Sequence, residues 1–254
     1  MSSVVAVVGL GEVGRPLLEL IERTGRPVVA IDVDPPALPQ RGTVEVMHVC
    51  FPFEIPDFVG ETCRYIELLE PDVTVINSTV AVGTTRTIHE RTGGRIAHSP
   101  VRGKHARMLE ELASYAKFVG GIDADTSNQV ADHFRSLGVP AGVASRPEAT
   151  ELAKLTETTY FGLLIAWAQE VERYCDHLQL EYDEVAAFYE EISFLPPVKY
   201  FPGVIGGHCV MPNIEILTEV NESPILDAIR WSNARKLARE AGGNGLHAAR
   251  ESSR

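Results

Sequence analysis

The chain is short of positive charge, has no paired cysteines and contains no long apolar run. Lysine and arginine total 23 against 35 aspartates and glutamates, so the formal net charge is −12 over 254 residues. Such a balance argues against nucleic acid or an anionic membrane as the main partner, and an anionic substrate would need a local basic site. The cysteines are Cys50, Cys63, Cys175 and Cys209, with no CxxC pair and no zinc spacing, so neither a disulfide framework nor a metal site is expected. No apolar stretch approaches the ~18 residues of a membrane helix, no signal peptide precedes Val4, and no internal repeat is visible. These absences together describe a reduced, cytoplasmic enzyme.

What is present begins with Val4-Val-Ala-Val-Val8, a continuous apolar run of the kind a buried parallel strand needs. Gly9-Leu-Gly-Glu-Val-Gly14 follows at once, then a helical pattern from Pro16 to Glu22, then a second strand, Val28–Ile31, ending in Asp32. Strand, glycine turn, helix, strand and acid form the pattern of a dinucleotide site. Gly9 makes the turn, Gly11 lets the backbone amides of the Glu12-Val13 segment reach a pyrophosphate, and Gly14 allows close helix packing. The helix N-terminus favours the phosphate charge. Asp32 can accept hydrogen bonds from the adenosine ribose and would repel a 2′-phosphate, so NAD is expected over NADP.

Further strands are expected at Val44–Cys50, Val73–Ile76, Arg95–His98, Phe118–Val119 and near Gly142–Ala144. Phe51-Pro52-Phe53 and Ser78-Thr-Val-Ala-Val-Gly83 lie just past strand ends, where open α/β sheets bind ligands. Pro52, Ser78 and Thr79 are therefore expected beside the nicotinamide, unless Thr79 serves a local hydrogen bond at the start of a helix over Thr84–Glu90. His98-Ser-Pro-Val-Arg-Gly-Lys-His105 places Arg102, Lys104 and His105 at another strand end. This is either a substrate-anion site or an ordinary solvated basic loop.

From Arg146 onward the periodicity changes to three and four residues, and one helix is expected from about Pro147 to His177, about 45 Å long at 1.5 Å per residue. Glu151, Lys154, Thr158 and Gly162 fall on one side of it. Lys154 is either an acid/base or oxyanion group or a lysine reaching solvent. Helices are also expected at Tyr182–Ile192, Ile214–Val220 and Pro224–Leu237. Before the last two lies Phe201-Pro-Gly-Val-Ile-Gly-Gly-His-Cys-Val-Met-Pro-Asn213, a glycine-rich loop presenting Cys209, read as a nucleophile or as a buried structural cysteine. The fold class is thus α/β, a Rossmann doubly wound parallel sheet over residues 1–146. An all-α domain with one long helix follows over 147–241, for dimerisation, with a flexible tail over 242–254.

In order along the chain, Gly9-Leu-Gly-Glu-Val-Gly14, Asp32, Ser78-Thr-Val-Ala-Val-Gly83, Glu151-Leu-Ala-Lys-Leu-Thr-Glu-Thr-Thr-Tyr160 and Pro202-Gly-Val-Ile-Gly-Gly-His-Cys209 resemble the UDP-glucose/GDP-mannose dehydrogenase family. The resemblance implies a cytoplasmic, dimeric, NAD-dependent oxidoreductase that takes a nucleotide-sugar alcohol to the acid in two steps. In that scheme Cys209 adds to the aldehyde, Lys154 stabilises oxyanion charge, Thr79 helps place a water, Thr158 is a fourth catalytic position, and Gly206 and Asn213 border the substrate. The sequence departs from the family pattern in several places. Val101 and His105 stand where the family has glutamates, Thr158 where it has asparagine, and Asn213 where it has aspartate. The expectation is also of a chain cut down to two domains, without the third that holds most of the nucleotide. Pro100-Val-Arg-Gly-Lys104 is similar to the carboxylate loop of the β-hydroxyacid dehydrogenases. This leaves a two-electron enzyme on a small anionic alcohol using Lys154, or a non-catalytic NAD-binding subunit, as alternatives.

Overall fold

A computed structural model describes residues 3–32, 44–103, 107–189, 192, 201–207 and 209–251, with side chains described as far as residue 241. It divides into two compact units, Met1–Lys154 and Leu155–Arg254.

The first unit is built on seven strands: β1 (Val4–Val8), β2 (Val28–Ile31), β3 (Val44–Val49), β4 (Val73–Ile76), β5 (Ile96–His98), β6 (Lys117–Gly121) and β7 (Ala141–Val143). They form one sheet in the order β2-β1-β3-β4-β5-β6-β7. The first five strands are mutually parallel, as the apolar runs predict. The sheet is not parallel throughout. β6 runs antiparallel to β5, pairing Ala97 with Gly121 and His98 with Gly120, while β7 runs parallel to β6. The chain leaves β5 and enters β6 at the same end of the sheet, by way of helix α4 (Met108–Ser114).

Helices cover both faces. Alternation along β1 sends Val5 and Val7 into one apolar cluster with Leu17, Ile21 and Phe134, and Ala6 and Val8 into another with Phe58, Tyr65 and Ile88. The first cluster holds helices α1 (Gly14–Glu22) and α5 (Ala124–Ser136), and the second holds α2 (Phe58–Leu69) and α3 (Thr84–Thr92). Asp57 and Asp123 cap α2 and α5, their carboxylates accepting the amides of Gly60 at 2.8 Å and Thr126 at 2.7 Å.

The long helix α6 runs Pro147–Leu178, within a residue of its expected end. In the second unit α7 is Tyr182–Ala187, α8 is Val210–Val220 and α9 is Pro224–Glu251. Their core gathers Ala166, Ile205, Val210, Ile214, Leu226 and Ile229. Gly162 permits close packing here: a Cβ on it would lie 2.5 Å from Val210 Cγ1. Three boundaries differ from the sequence expectation. Helix α7 ends at Ala187, and α9 continues past Leu237. Helix α8 starts at Val210 because Pro212 falls in its first turn, where the missing N–H costs no hydrogen bond.

Candidate active site

The turn after β1 is shaped by two glycines. Gly9 has φ +90°, and a Cβ on it would meet the Phe51 amide nitrogen at 2.6 Å. A Cβ on Gly14 would sit 1.8 Å from the Gly9 carbonyl oxygen, so the first turn of α1 closes directly onto the strand end. The Gly9 amide donates to the Ile31 carbonyl at 2.8 Å, which ties the turn to the end of β2 beside Asp32. Gly11 and Glu12 are exposed, Val13 is half-buried and occupies the N-cap position of α1, and the space above Gly11 is open. A cleft of about 560 Å³ opens next to this turn, lined by Gly9, Asp32, Phe51, Ile55, Arg64 and Tyr65. An exposed carboxylate, an open glycine turn and an apolar aromatic wall converge there, a donor set that fits an adenosine and a pyrophosphate. Pro52 is exposed immediately after Phe51.

The next two strand ends carry the loop Ser78–Gly83. The Ser78 hydroxyl donates to the Phe51 carbonyl at 2.6 Å, so this side chain anchors one strand-end loop to the next. Thr79 is half-buried. It does not cap a helix: the N-cap position of α3 is Gly83, which carries no side-chain cap. The capping group comes from α6 instead. Glu151 accepts the Gly83 amide at 2.7 Å, the Thr85 amide at 2.9 Å and the Thr85 hydroxyl at 2.6 Å. Burial pushes the Glu151 carboxyl up from its ordinary range, against the pull of these three donors.

Three cations gather at the ends of β5 and β6. Lys117, buried in β6, donates to Asn77 Oδ1 at 3.2 Å and to the Ser99 carbonyl, with its ammonium 4.9 Å from the Phe134 ring centre. Burial brings its pKa down to about 7; the charges of Lys154 and Arg102 add to that fall, while Cys50 opposes it. Lys154 is half-buried. The Arg102 guanidinium donates to the Ala116 carbonyl at 3.2 Å and lies 5.2 Å from the Phe118 ring centre. Lys104 and His105, expected beside it, lie outside the described residues, as does His208 of the cysteine loop.

A polar chain continues from Lys117 into the sheet. Asn77 Nδ2 lies 3.2 Å from His48 Nδ1, and His48 Nε2 lies 2.9 Å from His133 Nε2. Because the Asn77 oxygen already accepts from Lys117, its amide must donate, so His48 accepts at Nδ1 and donates at Nε2. Burial keeps both rings neutral, lowering His133 to about 4 and His48 well below its ordinary value. None of Asn77, His48, Lys117 and His133 is among the residues singled out from the sequence. The one available signal is a polar residue within or beside a strand that is otherwise apolar.

In the second unit Cys209 is exposed at the N-cap position of α8. Gly206 is exposed, and of the three loop glycines only Gly207 takes a positive φ, +77°. Asn213, one turn past Cys209, is buried, and its amide donates to the Thr158 hydroxyl at 2.8 Å. Thr158 is one turn past Lys154 on α6. Two positions that depart from the family pattern are therefore hydrogen-bonded to each other.

The central-domain model of the UDP-glucose/GDP-mannose dehydrogenase family matches residues 148–239. Curated relatives in it are sugar-nucleotide dehydrogenases. UDP-N-acetyl-D-mannosamine dehydrogenase of Methanococcus maripaludis strain C7 is 28% identical over 172 residues, 65% of this chain and 39% of its own. The enzyme of that name from Methanocaldococcus jannaschii is 23% identical over 256 residues, 81% of this chain and 59% of its own. This chain thus spans less than two thirds of the length of the curated relatives it matches. The solved UDP-D-ManNAc dehydrogenase from Pyrococcus horikoshii shares the fold with a TM-score of 0.82 at 20% identity, covering 97% of this chain and 72% of that one. A 3-hydroxyisobutyrate dehydrogenase from Mycobacterium tuberculosis shares it with a TM-score of 0.71 at 17% identity, covering 94% of each chain.

Proposed function

We propose that the chain is an NAD-dependent oxidoreductase acting on a CH–OH group of a nucleotide sugar. The observation that carries the reading is the Gly9–Gly14 turn closing onto β1 beside the Asp32 cleft, in the same chain as a central domain of the nucleotide-sugar dehydrogenase family. Gly11, Glu12 and Val13 would hold the pyrophosphate through backbone amides, Asp32 the ribose hydroxyls, and Pro52, Ser78 and Thr79 would line the nicotinamide side. Bound NAD would accept hydride.

The protein groups then divide the remaining work. Loss of hydride and a proton from the alcohol gives an aldehyde. The Cys209 thiolate adds to that carbonyl carbon to form a thiohemiacetal, and Lys154 stabilises the charge on its oxygen. A second hydride leaves the same carbon, to a second NAD exchanged for the first NADH, and gives a thioester. A water placed by Thr79 attacks it, breaking the C–S bond and releasing the acid and the free thiol. Thr158 and Asn213 shape the surroundings through their mutual bond, and Arg102, Lys104, His105 and Gly206 border the substrate. One assay tests this. Purified chain is incubated with NAD and UDP-N-acetylmannosamine, and Cys209→Ser is expected to abolish acid formation while NADH still binds. Unchanged acid yield from that variant would remove the covalent step.

The cluster of Lys117, Lys154 and Arg102 supports a second reading, hydride transfer on a small carboxylate with Lys154 as acid/base. Under it, Lys154→Ala abolishes turnover of a small hydroxy acid and Cys209→Ser does not. A homodimer is part of both readings, supported by exposed Tyr160, Leu163, Trp167, Tyr174 and Leu178 along α6.

A further inference from the structure

Helix α6 holds the loop between β4 and α3 at both ends, and does so from the two turns that precede Lys154. At the far end, Glu151 supplies the cap of α3, and Glu148 pairs with Arg86 one turn further along α3 at 2.5 Å. At the near end the tie is indirect. The Ser78 carbonyl can only accept, so the His98 Nε2–H at 3.1 Å must donate to it. The neutral ring then accepts at Nδ1, where the Thr150 hydroxyl lies at 2.8 Å. Burial brings the His98 pKa down to about 3, so the ring is neutral at neutral pH. Ser78 and Gly83 are thus pinned by adjacent residues of α6, Thr150 and Glu151. Between the pins lies Thr79, and one turn after them lies Lys154.

Ordinarily a helix start is capped by a side chain from its own preceding loop. Had Thr79 or Thr84 done so, α3 would begin independently of α6. The cap here comes from a residue 68 positions away, and its carboxylate is fully buried. We propose that Glu151 is a positioning residue. By capping α3 from the face of α6 that carries Lys154, it fixes Thr79 and Lys154 in one framework, with Thr150 and His98 closing the other end. This rests on the functional reading above only for its catalytic consequence; the clamp itself does not require it.

The test has two arms on the full chain. Hydrogen exchange in wild type, Glu151→Gln and Thr150→Val reads the clamp without any ligand. Glutamine keeps one acceptor oxygen but turns an NH₂ group toward one of the two amides. Amides 79–87 are expected to exchange about tenfold faster in Glu151→Gln, and less so in Thr150→Val, with β1 and β3 unchanged. Steady-state kinetics with NAD and UDP-N-acetylmannosamine read the positioning. A kcat lower by about tenfold or more, with the KM for NAD and the NADH affinity within about threefold, is expected. Unchanged exchange at 79–87 overturns the clamp. Faster exchange with unchanged kcat overturns the positioning role, as does equal loss of kcat and NADH affinity. If the wild type neither binds NADH nor turns over the probe, the functional reading fails, and the exchange arm still decides the clamp. Thr150→Val, nearly isosteric, decides it if Glu151→Gln does not fold.

Discussion

Single residues set the chemistry at two points of the first unit. Asp32 is exposed at the edge of the cleft, and under the proposed reading its carboxylate would face a ribose 2′-group. Removing that charge with Asp32→Asn should lower the preference for NADH over NADPH by about tenfold, measured by fluorescence titration of both cofactors. A preference that does not move would show that another residue discriminates. Gly14 is limited by contact rather than by charge. Its α-hydrogen faces the Gly9 carbonyl, so Gly14→Ala forces strand and helix apart. A loss of about 3 kcal/mol or more is expected in urea unfolding. By contrast Gly11→Ala, facing open space, should leave stability nearly unchanged. Asn213 and Thr158 show how a polar position is read differently once its partner is known. Apart in sequence they look like two independent losses from a family pattern. Together they are one neutral hydrogen bond joining α8 to α6.

Among the elements, α6 combines three roles. Its first turns cap α3, its middle packs on α8 through Gly162, and an exposed aromatic stripe runs along it. If that stripe is a homodimer surface, Trp167→Glu should shift sedimentation toward a species near 27.8 kDa. A wild type already sedimenting at that mass would exclude the dimer. The caps of α2 and α5 are local and independent of any function. Asp123→Ala should cost about 1 kcal/mol, since the Thr126 amide loses its acceptor. The carboxyl of Asp123 is held below its ordinary range by that backbone hydrogen bond, so the cap weakens as acid protonates it. In the first unit the strands and helices α1 and α3 were legible from periodicity, whereas α2, α4 and α5 were not among the expectations. Strand direction was not legible either: β6 reads as an ordinary strand, and its antiparallel pairing with β5 is set by the path of the chain between them.

For the whole molecule, pH acts through three buried imidazoles, His48, His98 and His133. Each is held neutral, with burial as the main cause: His98 is brought down to about 3 and His133 to about 4. In the unfolded chain they titrate near the ordinary value of about 6.5. Below that pH the unfolded state binds protons that the folded state refuses, so stability falls as pH falls. The slope is about 1.4 kcal/mol per pH unit for each ring. The urea midpoint should therefore drop steeply between about pH 6.5 and about pH 4, and a flat midpoint there would mean that the rings protonate in the folded state. The excess of negative charge over the chain does not prevent a local cationic end of the sheet, where the charges of Lys154 and Arg102 add to the fall in the proton affinity of buried Lys117.

By itself the sequence determined the strand, glycine turn, helix and acid that open the chain, the span of α6, and the family likeness of residues 148–239. These depend on neighbours a few positions apart, where period, turn geometry and motif spacing act directly. Only the tertiary structure decided which polar groups answer one another: Glu151 with the start of α3, Thr150 with His98 and Ser78, Lys117 with Asn77, Asn213 with Thr158. Those partners are 20 to 68 residues apart. They meet because strand ends in the first unit and packed helices in the second bring distant segments together, and burial there makes an unanswered donor or acceptor too costly to leave.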